Sequence, residues 1–222
     1  MRMGILLALV LGAGAVAAGA QAERGDPQRR PVAADQRAAE AMLLRESDLA
    51  PAFRIDNDPG PAGVDGYCQA LDESDLVLTG DAESPTFTLE AAGAYTGIAS
   101  AVQLYRSRRM ADLSWRRGTS DAGVACMRRV FVRELGRSGL RVESLTRPRL
   151  DRLGVRTFTL RMVFYDVVRD ARARVYIDLV ALARGRAMSM LMFASAFTPV
   201  PKSQQVALAR AVAGRMAAVA PG

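Results

Sequence analysis

Val155-Arg-Thr-Phe-Thr-Leu-Arg-Met-Val-Phe-Tyr165 places Phe158, Leu160, Met162 and Phe164 at every second position, with Thr157, Thr159, Arg161 and Val163 between them. A period of two sends alternate side chains to opposite faces, so this run predicts a half-buried β-strand. Two more apolar runs follow, Arg174 to Ala183 and Ala187 to Ala196, and the Arg184-Gly185-Arg186 break between them suits a tight hairpin. Val155 to Ala196 therefore reads as a three-stranded β-meander. Asp178 is the one acid set inside the second run, and it either faces solvent or pairs across the sheet with Arg161. Met188, Met190 and Met192 share one face of the third strand. Methionines at that spacing line an adaptable apolar pocket or pack as core under the closing helix.

Working outward, Thr198-Pro-Val-Pro201 ends the meander, and Ser203 is placed to cap a closing helix. Its apolar face of Val206, Ala209, Val212, Ala213, Met216 and Val219 predicts docking on the sheet. Before the meander, Leu140 to Leu145 reads as a short strand. Arg106 to Gly136 reads as a helix broken at Gly118-Thr-Ser-Asp-Ala-Gly123, with Ser120 capping the second piece. Met110, Leu113 and Trp115 belong to the first piece; Val124, Met127, Phe131 and Leu135 recur at helical spacing in the second. Leu76 to Leu78, Phe87 to Ala91 and Gly97 to Tyr105 read as strands, and Gln36 to Phe53 as short helical turns with Ala39, Met42, Leu43, Leu49 and Phe53 inward. Asp56 to Gly66 carries loop chemistry.

The ends and the cysteines bear on compartment. Arg2, the apolar run Ile5 to Val16 and Ala20-Gln21-Ala22 form a signal-peptide pattern over residues 1–22, with the mature start near Glu23. Residues 23–35 are polar, broken by Pro27 and Pro31, and read as a flexible linker; residues 36–222 are long enough for one domain. In an oxidising compartment Cys68 and Cys126 are expected to pair, closing a loop of about 58 residues worth ~4 kcal/mol in the loop-closure account. Two buried thiols, or one reactive thiol, are the other readings. The net charge is +7, and every basic residue except Lys202 is arginine. Arg108-Arg109, Arg116-Arg117 and Arg128-Arg129 are dispersed pairs, which read as charge scattered over a solvated surface. They are not interleaved with the aromatics of a nucleic-acid binder.

The chemistry open to this chain is narrow. It has no histidine, which removes Ser-His-Asp and Cys-His catalysis and histidine-rich zinc sites. No phosphate-binding loop is present. Asp72, Glu73, Asp75, Asp81 and Glu83 do not follow the calcium-loop spacing, nothing sets two of them across a cleft, and they read as a solvated acidic loop. No catalytic residue, metal site or cofactor is assigned. The candidate ligand-pocket residues are Met188, Met190 and Met192 with Trp115.

The succession of Leu-Leu-x-x-x-Asp-Leu-x-x-x-Phe (Leu43 to Phe53), strands, a broken helix from Trp115 to Cys126, a meander and a helix after Thr198-Pro resembles exported actinobacterial domains of unknown function. More distantly it resembles the PsbP-like fold of the extracellular sensor domains of mycobacterial serine/threonine kinases. The likeness spans Gln36 to Val219. It implies an α+β fold, an antiparallel sheet with helices on its faces, used for binding and not catalysis. This chain departs from those sensors in offering cysteines for one disulfide instead of two and in lacking a kinase segment. The functional expectation is an exported, monomeric, sensor-like module for a small ligand or a cell-envelope protein. Its competitors are a carboxylate-dependent hydrolase of envelope glycans and an accessory protein on an anionic membrane surface. Neither nucleic-acid binding nor membrane contact is predicted. Mass spectrometry of the secreted protein should give a chain starting near Glu23 that gains a pair of hydrogens on reduction; an unchanged mass on reduction means unpaired thiols.

Overall fold

The computed structural model describes residues 25–56, 68–91, 93–137, 139–166 and 174–219. Along the chain run β1 (Gln28–Arg29), α1 (Ala33–Met42), β2 (Arg54–Asp56), β3 (Val77–Glu83), β4 (Thr86–Ala91) and β5 (Ala94–Tyr105). Then come α2 (Arg108–Thr119), α3 (Asp121–Arg137), β6 (Leu140–Thr146), β7 (Arg156–Asp166), β8 (Arg174–Arg184), β9 (Ala187–Ala196) and α4 (Lys202–Val219). The strands form one sheet in the order β1-β3-β5-β9-β8-β7-β6, with β4 beside the first half of β5 and β2 beside β4. The meander is present as read from the alternation. β9 does not end it at an edge, however, but pairs with β5 along Thr96 to Leu104 and so lies inside the sheet.

All pairings are antiparallel except β1 with β3, so the fold is α+β with a mixed sheet. That parallel pair comes from the segment expected to be a flexible linker. Gln28, Arg30 and Val32 donate their backbone N–H groups to Leu76, Leu78 and Thr79, at 2.9, 2.9 and 2.8 Å. Ladder bonds are made by the backbone, so pairing needs no apolar periodicity. The domain accordingly begins before Gln36, and α1 starts at Ala33. The signal-peptide pattern, and residues 57–66 of the Asp56–Gly66 loop, lie outside the described residues.

Register divides the sheet's side chains between two faces. Val180 pairs with Leu191, and Leu182 with Ser189, which pairs onward with Val102. These residues belong to the main core with Leu104 and Phe193, and α1 and α4 cover them through Ala39, Met42, Leu208, Val212 and Met216. Burying one large apolar side chain contributes about 1.5–3 kcal/mol, so this face dominates stability. The opposite face is covered from its margins. α2 lays Ala111 on Leu78 and Tyr105 at one end, and α3 brings the Phe131 ring to 6.4 Å from Phe164 at the β6–β7 side.

Polar contacts fix the helices. Ser120 caps α3 as expected, accepting from Gly123 N–H at 3.0 Å. α4 begins one residue before its expected cap, with the N–H groups of Gln204 and Gln205 donating to the Pro201 carbonyl. Gly80 sits where α1 crosses β3, and a Cβ there would run into the Asp35 carbonyl. Beside it the Asp35 carboxylate accepts from Arg186 Nη2 at 2.8 Å, Arg186 Nη1 at 3.0 Å and Thr79 Oγ1 at 2.5 Å. The Arg186 guanidinium outweighs burial and holds the Asp35 carboxyl below the usual range.

Asp178 takes the second of its two expected placements. It is 2% exposed, accepts from Arg161 Nε and Nη2 at 2.6 and 2.9 Å, and also accepts from Gln205 Nε2 at 2.8 Å. Gln205 donates as well to the Val200 carbonyl at 2.9 Å, which ties the start of α4 to the sheet centre. Truncating one partner strands the other charge, so Asp178→Ala is expected to cost ~3–5 kcal/mol in urea unfolding. The double replacement Asp178→Leu with Arg161→Met should recover most of that loss.

Candidate binding face

The face bearing the candidate methionines is built from cross-strand rows. One runs Arg156, Ala183, Met188, Gln103; the next Phe158, Ala181, Met190, Ala101; the third Leu160, Leu179, Met192, Ala99. The expectation that these methionines pack under the closing helix is corrected here. α4 covers Ala187, Leu191 and Phe193, whose parity is odd, whereas the methionines are even and project from the other side of β9.

Coverage along that face is uneven. Met188 packs with Tyr105, Leu78 and Ala111 beneath α2. Met192 packs half-buried against the cluster of Met162, Phe164 and Ile177. Met190, between them, is 42% exposed on a long central strand. Its row neighbours Ala181 and Ala101 are short, so methionine stands between them as the large flexible apolar side chain.

Trp115 does not share the Met190 row. It lies on α2 with the Arg156 guanidinium 5.2 Å from its ring centre, and Arg156 also pairs with Asp112 at 2.7 Å. One row along, Phe158 carries the Arg147 guanidinium at 5.5 Å, and Arg147 pairs with Asp121 at 2.8 Å. Toward β7 this face thus carries two arginine-capped aromatic rings. Phe158, Arg156 and Arg147 were not among the expected site residues. The parity of Phe158 in the opening run, carried through the hairpin register, is the signal that places it there.

The cysteines are joined. Cys68 and Cys126 form a disulfide with Cα atoms 6.1 Å apart, tying the segment before β3 to α3. A 3-10 turn, Gln69–Leu71, follows Cys68. Gly123 of α3 faces it, and a Cβ there would strike the Arg117 carbonyl and approach the Leu71 side chain.

The acidic segment is not a solvated loop throughout. Asp81 and Glu83 belong to β3, and Asp81 lies 3.0 Å from Arg29. Asp75 accepts from both Nη atoms of Arg117, at 2.6 and 2.9 Å. Glu73 turns inward between α2 and the sheet, accepting from Ser114 Oγ, with the Tyr105 hydroxyl 2.9 Å from its other oxygen. Burial pushes the Glu73 carboxyl above its ordinary value and the Tyr105 hydroxyl far above its own. The alternation rule could not find this because Tyr105 and Ser114 lie far along the chain. Each of these carboxylates is committed to its own partner, so acids adjacent in sequence are not facing acids in space. Among the described residues no three metal-ligating side chains converge, and no helix is long and apolar enough to cross a membrane.

No family model matches this chain, and no curated protein matches it. Among solved structures it is similar to the extracellular domain of PknH from Mycobacterium tuberculosis. The likeness has a TM-score of 0.42 at 10% identity and covers 84% of this chain and 97% of that one.

The raised carboxyl of Glu73 has a thermodynamic sign. A fold that binds the neutral form better contributes stability below the ordinary glutamate pKa of about 4.5 and loses it as pH rises through the folded value. Asp35, Asp48 and Asp75, held low by arginines and hydrogen bonds, act oppositely on acidification. The urea midpoint of Glu73→Gln should therefore gain on that of the wild type as pH rises from about 4.5 to about 7. A difference that stays constant over this range would mean that Glu73 ionises as freely in the fold as out of it.

Proposed function

We propose that this protein is an exported, non-enzymatic binding module that takes a small apolar ligand, or an apolar side chain of an envelope protein, on the Met190 row. The observation carrying this reading is Met190 itself, 42% exposed among alanines while Met188 and Met192 on either side of it are half-buried. Leaving that methionine in water forgoes burial that the ends of the same strand achieve, and a ligand restores it. Export is supported by the signal-peptide pattern ending at Ala22 and by the Cys68–Cys126 disulfide, a bond that persists in oxidising compartments. Binding without turnover is supported by the absence of histidine and by the engagement of Glu73 and Asp75 in side-chain clamps.

The strip is tested with a neutral, environment-sensitive apolar dye. Met190→Glu is expected to weaken dye binding by about 10-fold or more while leaving the urea midpoint within ~0.5 kcal/mol, since the position is open to solvent. Ile55→Glu, a comparably exposed apolar position on β2 at 43%, should leave dye binding unchanged. Equal losses in the two variants would discard the Met190 row as the site.

A further inference from the structure

Folding sorts the arginines that look scattered along the chain. From Arg106 to Arg137, the α2–α3 layer, there are nine arginines, two aspartates and one glutamate. On the opposite face, Ala33 to Asp56 together with α4 hold six basic side chains and five acids, close to neutral. Both aspartates of the first layer are already paired, Asp112 with Arg156 and Asp121 with Arg147, which are arginines from outside it. Asp75 pairs with Arg117, and Asp72 and Glu73 of the same segment also bear on that one arginine. The sheet therefore separates a near-neutral side from a strongly basic one, a property of the fold that no run of sequence displays.

The basic side also exposes apolar surface. On α3, Arg128, Arg129 and Val132 share one exposed flank at helical spacing, and Val132 is 46% exposed. Arg108, Arg109 and Arg116 are exposed on α2. An apolar side chain set among arginines matches a bilayer interface, where guanidinium groups meet lipid phosphates while the apolar side chain enters the headgroup boundary. A rigid polyanion would use the charge and leave the valine idle. We propose that the outer surface of α2 and α3 docks on an anionic phospholipid bilayer. The inference goes beyond the ligand strip and stands without it.

The experiment is co-sedimentation of the disulfide-bonded protein with vesicles of phosphatidylcholine alone or with added phosphatidylglycerol. The protein should partition to the anionic vesicles only, and the binding should fall steeply as salt shortens the screening length from about 10 Å at 0.1 M to about 3 Å at 1 M. Arg128→Glu with Arg129→Glu should weaken partitioning by about 10-fold or more. Arg37→Glu with Arg210→Glu changes net charge by the same amount on the opposite face, at exposed positions, and should weaken it by less than about 3-fold. Arg108→Glu with Arg109→Glu supplies a second pair on α2, and unchanged thermal unfolding confirms that each variant is folded. Val132→Asn should weaken vesicle binding and leave binding to duplex DNA unaffected. Indifference to phosphatidylglycerol, or equal losses from the two faces, overturns the proposal. So does a Val132→Asn variant that binds vesicles like the parent, which would leave a general polyanion surface. Loss of dye binding in Met190→Glu with vesicle binding intact separates this inference from the ligand reading.

Discussion

The antiparallel register that runs without a bulge from β7 through β8 and β9 to β5 is the constraint on which the remaining features depend. Once Val180 stands opposite Leu191, every side chain on four strands is committed to one face or the other by parity. Leu182, Leu191, Phe193 and Asp178 go to the side closed by α1 and α4, while Met190, Ala181 and Phe158 go to the side that α2 and α3 cover only in part. A slip of one residue would exchange the two sets and put Asp178 among the methionines.

Polar clamps at the margins hold the covering layers against that sheet. Arg186, in the turn between β8 and β9, reaches Asp35 of α1 and the Tyr105 carbonyl of β5. Arg215 of α4 donates to Asp48 and to the Leu43 carbonyl, joining the closing helix to the turns after α1. On the other side, the disulfide, the Asp75–Arg117 pair and the Glu73 network all fasten the segment before β3 to α2 and α3. The two faces are thus secured differently, one by a continuous apolar core and the other by a covalent bond and a few directed hydrogen bonds. The second arrangement leaves open surface between its anchor points.

What could be read beforehand follows from the range of each signal. Alternation in Val155–Tyr165 and helical spacing in Val206–Met216 are local, and both elements form where expected. Ser120 was legible as a cap because its acceptor role reaches only three residues on. The pairing of β1 was not legible, since backbone bonds leave no mark on side-chain pattern. The covering of the methionines was half legible. Their common face is evident from spacing, but which helix covers it depends on how β9 pairs with β5, far back in the chain. Glu73 and the arginines are the clearest cases, because burial of the first and convergence of the second arise only from tertiary neighbours.

The position of β9 also governs how the sheet can be assembled. Its partners on β5 precede it by about 80–100 residues, and contacts of such separation form late because a long loop must close first. Until β9 emerges, β5 and β8 each present an unsatisfied backbone edge, and the growing chain consists of two half-sheets with nothing between them. Synthesised from its N-terminal end, the chain leaves the β5 edge open for that whole interval, whereas the β8 edge is open only until the next strand follows. Short of its final strand, the polypeptide is adhesive along the edges where it must later join.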